Sequence, residues 1–481
     1  MSAFAAVVVR VPFVGAGIGP DEGGYAYVAQ QWARGARLYH VAWVDRPQGL
    51  LVIYRLLLDL AHGPRAIRLG ALVFGTGVTL LLGAIGWLLE GPLVGAAASG
   101  LYAVVGVAPH LEGFTFNAEL AAALPSAAAV AAVLAWHRSG SPAWLIAAGA
   151  AGGLALLMKQ SGFDGLLVAI AVVVGTARPW RQRLGNLGLL LSGALLPVVA
   201  SVVQGVSVGW GNYWFAVVGY RLDASSGGAA SLFERLAHLA HSLLIARHDL
   251  VGLAVVAAVG GAASLRRRSV EWVGLVWLAA AFVGFNLGAL YWGHYYVQLI
   301  PPLVLLAAIA VGRARRAPLR ALLLAVAIAP VLVFLVQLAA MPQEQQENAV
   351  PYYGSYEADQ RVAQMIRRNV SPRQSIYVLQ SRADVYFLAD RRTRYRYIWG
   401  HEIHEIPGAL TQLRSLLAGP HRPRLIVAYT TPEHVDRTGR LARELLAHYC
   451  DGGALPGTAT VVYEERPGCS GGAQRGAASG G

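Results

Sequence analysis

Two short polar stretches near the N-terminus hold residue types that handle protons and phosphate. Gly19-Pro20-Asp21-Glu22-Gly23-Gly24-Tyr25 sets two adjacent carboxylates beside a proline and two glycines. Asp45-Arg46-Pro47-Gln48-Gly49 follows with a guanidinium. A carboxylate within hydrogen-bond reach of a hydroxyl can take its proton, and an arginine can hold an oxyanion. A plainer reading is also open, with Asp21 as a helix N-cap and Glu22 in the first turn.

Further polar residues interrupt apolar runs downstream. His110 and Glu112 lie between two such runs, and Asn117 and Glu119 open the next. Lys159, the only lysine in the chain, ends another, where a snorkelling anchor is the plainer reading. His294-Tyr295-Tyr296 and Gln298 precede Pro301-Pro302. Ionisable residues in apolar surroundings are rare and by default functional. All of these could converge on one cavity.

The elements that must position them are apolar. Of 481 residues 56% are hydrophobic and 14% charged, against about 25% charged in a soluble domain. The mean hydropathy is +0.49. A formal charge of +13 does not argue for nucleic acid, because the arginines sit in short clusters between apolar runs. Spans are expected at about 66–89, 92–109, 114–136, 142–158, 161–177, 184–206, 249–265, 270–290, 295–312 and 319–340. The opening run Ala3–Gly17 makes eleven, with a cleaved signal peptide as its alternative. Residues 20–65 read as interfacial helices.

Charge sets the orientation. With the N-terminus inside, the inner loops hold Arg138, then Arg178, Arg181 and Arg183, then Arg266, Arg267 and Arg268, then Arg313, Arg315, Arg316 and Arg320. Four consecutive inner loops obey the positive-inside rule. Residues 20–65, 110–113, 207–248, 291–294 and everything after about 341 then lie outside. The loop 207–248 carries aromatics at Trp210 and Trp214, suited to a headgroup belt, and ends in an amphipathic helix at 231–247. From 351 the pattern alternates: helices at 357–369, 384–389 and 432–448, strands at 375–379, 425–428 and 460–464. That predicts a small outer α/β domain over 351–466, following a transmembrane domain over 1–340. The Gly/Ser/Ala tail, 467–481, is expected to be disordered. Cys450 and Cys469 could pair in an oxidising compartment.

On these motifs the chain resembles the GT-C membrane glycosyltransferases of the protein mannosyltransferase and aminoarabinose transferase type, in the bacterial family-39-like branch. The carrying residues are Pro20-Asp21-Glu22 with Tyr25, Asp45-Arg46-Pro47, Asn117-x-Glu119, Lys159-Gln160-Ser161-Gly162 and His294-Tyr295-Tyr296-x-Gln298-x-x-Pro301-Pro302. The resemblance runs from residue 1 to about 465. It implies a polytopic α-helical GT-C fold of about eleven transmembrane helices in the cell inner membrane, with the α/β domain and active site on the extracytoplasmic side. It also implies transfer of a sugar from a polyprenyl-phosphate donor to an extracytoplasmic glycan, lipid or protein. Asp21, Glu22 and Glu112 take the catalytic places. Arg46, Lys159, His294, Tyr295, Tyr296 and Gln298 take the lipid-phosphate places, with Arg46 standing where relatives often have lysine before a proline pair. The resemblance names no certain cofactor. A divalent cation could sit among the acids, and the expected form is a monomer.

Two other readings remain. A transporter or flippase would also need spans and buried charge, but no inverted repeat or matched mid-span break is visible. An assembly subunit with a receptor-like outer domain leaves the Asp21–Arg46 loop without a task.

Overall fold

The computed structural model describes residues 2–176, 178–226, 231–265, 272–288, 290–342, 345–346, 349–350, 356–458 and 460–466. Arg266, Arg267, Arg268, Cys469 and the expected disordered tail lie outside them. Cys450 is disulfide-bonded, and no cysteine among the described residues is free.

Helices occupy every expected span. They are α4 (Pro64–Glu90), α5 (Pro92–Val105), α6 (Ala118–Ser139), α7 (Ala143–Met158), α8 (Asp164–Gly175), α9 (Trp180–Val208), α12 (Leu232–Leu265), α13 (Val273–Asn286), α14 (Ile300–Arg313) and α15 (Ala317–Ala340). Before them come α1 (Ser2–Arg10), α2 (Pro20–Ala33) and α3 (Gln48–Leu60), and two short helices, α10 (Trp210–Trp214) and α11 (Tyr220–Ser226), follow α9. Among the described residues six helices are long and apolar enough to cross a membrane. The opening segment and α2 pass as a pair bent by 80°.

Of the other expected spans, α5, α7, α8 and α13 have only 12–16 residues. Each is short at the end where the polar residues gather. α5 gives way to a 3-10 turn at Pro109–Leu111, α7 stops before Lys159, α8 starts at Asp164 and α13 ends at Asn286. Irregular backbone at membrane depth is tolerated where it lines a cavity or is covered by protein. The expected amphipathic helix 231–247 is the first half of α12, continuous with the span that follows.

Hydrocarbon is the solvent for the outer faces, so α9 exposes Leu195, Leu196, Val199 and Val203, and α15 exposes Val333 and Val336. α14 is the central helix, its residues Val304–Val311 buried. α7 and α9 touch through glycines. A Cβ on Gly149 would stand 1.8 Å from the Leu190 carbonyl oxygen, and one on Gly193 would stand 2.2 Å from that of Ile146. Small residues let spanning helices approach this closely.

A polar knot fixes the helices beneath the site. Asp164 accepts hydrogen bonds from Ser126 Oγ at 2.8 Å, Trp277 Nε1 at 2.6 Å and Gln298 Nε2 at 3.1 Å. It joins α6, α8, α13 and the 3-10 turn Gly293–Leu299. A buried carboxylate is tolerated when its lone pairs are filled in this way.

The C-terminal domain holds a four-stranded sheet in the order β1-β2-β4-β3. β1 (Ile376–Leu379) and β2 (Leu425–Ala428) are parallel, while β4 (Val461–Glu465) runs antiparallel to both β2 and β3 (Tyr449–Ala454). β1 and β2 are buried throughout, which explains their continuous apolar runs. β3 escapes prediction because Tyr-Cys-Asp-Gly-Gly-Ala has no alternation and four exposed residues. The expected helix 432–448 divides at Asp436, whose carboxylate accepts from the backbone of Thr438 and Leu441, each at 3.0 Å. Helices Gly400–Glu405 and Ala409–Ala418, in the crossover from β1 to β2, were not expected.

The C-terminal domain sits on α2. Thr393 N–H donates to Tyr27 Oη at 2.9 Å, and the Tyr27 and Tyr386 rings lie 5.2 Å apart. At this seam Asp384 is fully buried and faces Asp359. Burial, then the neighbouring Asp359, raises its pKa well above the carboxylate range. The folded protein therefore keeps a proton that the unfolded chain sheds first, and stability falls as pH climbs above about 4. Asp384→Asn cannot ionise. It should unfold at a higher temperature than wild type at pH 7.5, with the gap closing toward pH 4. An equal melting temperature at both pH values would contradict this.

Candidate active site

α2 starts from an extended Gly19 with Pro20 in its first turn, and Glu22 Oε2 accepts the Gly19 N–H at 3.1 Å. The other Glu22 oxygen takes Arg68 Nη1 at 2.8 Å and Phe116 N–H at 2.7 Å. Arg68 also reaches the Gly17 carbonyl. Glu22 is thus a buried clasp between the start of α2, α4 and the loop before α6. The geometry does not bring it to the place expected for a catalytic acid. Successive helical residues point about 100° apart, so a clasped Glu22 turns Asp21 toward open space.

Asp21 is one-third exposed, accepts a hydrogen bond from Trp399 Nε1 at 3.1 Å and lies 3.9 Å from His294 Nε2. His294, on the 3-10 turn, stands 3.6 Å from Glu112 and 3.9 Å from Glu119. Glu112 adopts φ 57°, and Asn117 Nδ2 donates to it at 3.3 Å. Glu119 lies in the first turn of α6 and pairs with Lys159 at 2.5 Å. Lys159 in turn lies 4.1 Å from the centre of the Tyr295 ring. Three carboxylates therefore surround one imidazole, with a lysine behind them.

A second cluster adjoins the first. Asp45 binds Arg46 at 2.6 Å and also pairs with Arg221, from α11. Burial disfavours its charge, but Arg221 and Arg46 more than compensate and hold its pKa down at about 2. The loop is locked from several sides. Tyr39 Oη donates to the Arg46 carbonyl at 2.9 Å, and Gln160 Nε2 reaches the Asp45 carbonyl at 2.8 Å. Tyr295 and Glu119 lie within the electrostatic reach of Arg46, so the two clusters form one site. Arg46, Arg221 and Lys159 make its basic side.

Asp21, Glu112, Arg46, Lys159, His294 and Tyr295 converge as expected from the sequence. Tyr296 and Gln298 do not. Tyr296 Oη bonds Ser242 at 2.8 Å with its ring 4.7 Å from Phe285, and Gln298 is spent on Asp164 and on the Ser161 carbonyl at 2.7 Å. Their turn is 3-10, which sends alternate polar residues to different helices. Arg221 and Trp399 were missed, and Asp45 and Glu119 were noticed without a role. Nor do Gly23 and Gly24 leave room for a substrate. A Cβ on Gly23 would stand 2.3 Å from Asp384 Cα, and one on Gly24 would stand 2.3 Å from Trp399 Cζ2.

Among the described residues no group of three or more His, Cys, Asp or Glu has the geometry of a metal site. Glu112, Glu119 and His294 are the donor types a divalent cation would use. A cavity of about 550 Å³ lies apart from this chemistry, behind Trp43, between α2 and the C-terminal domain.

The chain has the GT-C fold of polytopic membrane glycosyltransferases. A crystal structure of ArnT from Cupriavidus metallidurans bound to undecaprenyl phosphate superimposes with a TM-score of 0.68 at 18% identity, over 96% of this chain and 97% of that one. An oligosaccharyltransferase from Archaeoglobus fulgidus in the apo form gives 0.57 at 14% identity, over 92% and 70%. The oligosaccharyltransferase AglB from the same organism, in complex with an inhibitory peptide and a dolichol-phosphate, gives 0.57 at 13%, over 97% and 74%. No family model and no curated protein matches the sequence.

Proposed function

We propose that this protein transfers a sugar from a polyprenyl-phosphate donor to a hydroxyl-bearing acceptor. One observation carries the reading: a partly exposed carboxylate, Asp21, stands in the same site as a basic cluster of Arg46, Arg221 and Lys159. The acceptor oxygen forms its bond to the anomeric carbon as the bond from that carbon to the phosphate oxygen breaks. The hydroxyl proton passes to Asp21. The electron pair of the broken bond stays on the phosphate, where the basic cluster stabilises growing negative charge in a poorly hydrated site. His294, between Asp21, Glu112 and Glu119, fixes the carboxylates relative to one another. The lipids named with the ArnT and AglB structures, undecaprenyl phosphate and dolichol-phosphate, support this choice of donor. Comparing envelope glycans, lipids and glycoproteins by mass spectrometry between a deletion strain and its parent tests the reading. Identical profiles in every fraction would overturn it.

The active site and the α/β domain are assigned to the extracytoplasmic face of the inner membrane. Site and domain lie at the same end of the helices, whereas Arg178 stacks on Trp136 and Arg313 pairs with Glu90 at the other. Cysteines at exposed Ser231 and Ser415 should react with an impermeant thiol reagent on intact cells, and one at exposed Ser139 should not. Reaction at Ser139 alone would invert the orientation.

A further inference from the structure

The only hydrogen bond that Asp21 receives from a side chain among the described residues comes from the far end of the chain. Trp399 Nε1–H donates to Oδ1 at 3.1 Å across 378 residues of sequence. Trp399 is 6% exposed and is held on several sides. Its ring lies against Gly24, one turn into α2, and its centre is 5.8 Å from that of Tyr25. The residue after it, Gly400, starts a short helix anchored by its N–H to Ser381 Oγ at 2.8 Å. The same helix ends in Glu405, which binds Tyr220, and the next residue, Arg221, pairs with Asp45. The outer domain therefore grips both halves of the site.

We propose that Trp399 is a positioning residue for the transfer, so that the outer α/β domain is a working part of the active site and more than a cover. The inference rests on the reading of Asp21 as the proton acceptor. An indole N–H is a donor only and carries no charge, so it can fix a carboxylate without competing for the proton. It holds Oδ1 and leaves Oδ2, the oxygen facing His294, directed into the site. A one-third exposed aspartate without that bond rotates among its rotamers and spends less time aligned with the incoming hydroxyl. Loss of alignment of this kind costs rate and leaves lipid binding intact. Gly24 belongs to the same device, because any side chain there would push the indole away.

The test uses the full-length protein, re-expressed in the deletion strain, with the initial rate of the missing envelope modification as readout. Undecaprenyl phosphate serves as the binding probe on purified protein. Trp399→Phe removes the N–H and keeps an aromatic ring. Gly24→Ala leaves the indole chemically intact but displaces it, so it decides the matter if Trp399→Phe fails to fold. Each should lower the rate about tenfold or more, with unchanged affinity for undecaprenyl phosphate, when assayed below its own melting transition, since a changed buried contact also costs some stability. Neither should lower the residual rate of Asp21→Asn any further, since the carboxylate they position is then gone. A wild-type rate in both variants, with Asp21→Asn impaired, overturns the positioning role and leaves the proposed function standing. A further drop on top of Asp21→Asn also overturns it, by showing general damage. A wild-type rate in Asp21→Asn removes the reading of Asp21 itself.

Discussion

Asp21→Asn should lower the rate of sugar transfer about 100-fold or more while the protein still folds and still binds undecaprenyl phosphate. The structure sharpens this expectation. Helix capping at the start of α2 is carried by Gly19 and Glu22, so Asp21 has no capping duty to lose. Asparagine keeps the shape and can still accept from Trp399, but it cannot take a proton. Glu22→Gln gives the opposite pattern. It weakens a buried ion pair with Arg68, whose side chain is 1% exposed, and its effect appears in yield and melting. Transfer assays on the two variants separate the roles. Near-wild-type turnover by Asp21→Asn would move the proton acceptor to Glu112 or Glu119.

Removing the basic cluster should have the second largest effect, and its members should behave differently. Arg46→Ala leaves Asp45 paired with Arg221, so the fold should survive while affinity for undecaprenyl phosphate falls about tenfold or more. Lys159→Ala strands Glu119, whose side chain is 2% exposed, and should cost stability as well as affinity. Adding Glu119→Gln should restore the melting temperature of Lys159→Ala without restoring lipid affinity. Binding and thermal unfolding of the three proteins check this. Unchanged affinity in both single variants would mean that the phosphate is held elsewhere.

The sequence made the framework and one half of the site readable, for a physical reason. A charge in an apolar run is costly, so Glu112, Glu119, Lys159 and His294 stand out against their neighbours. Asp21 and Arg46 stand out beside glycine and proline. Arg221 does not, because it is one basic residue in a segment between spans, where polar residues are unremarkable. Trp399 carries no local sign at all, since its task is set by a tertiary contact with α2. Glu22 misled because adjacency in sequence suggests joint action, whereas the helix turns neighbours apart. Tyr296 and Gln298 misled because an α-helical start was read where the chain makes a 3-10 turn. In the outer domain the buried strands were legible, and the exposed glycine-rich β3 was not.

The seam between α2 and the outer domain also sets a schedule for biosynthesis. Asp21 emerges from the ribosome 378 residues before Trp399. At about 5–20 residues per second that interval is on the order of 20–75 s. Throughout it, the nascent chain carries Asp21 without the indole that holds its Oδ1. A chain that stalls or is cut before its last hundred or so residues keeps its spans but never receives that indole. If Trp399 positions Asp21 as proposed, that alignment waits for the synthesis of the C-terminal domain.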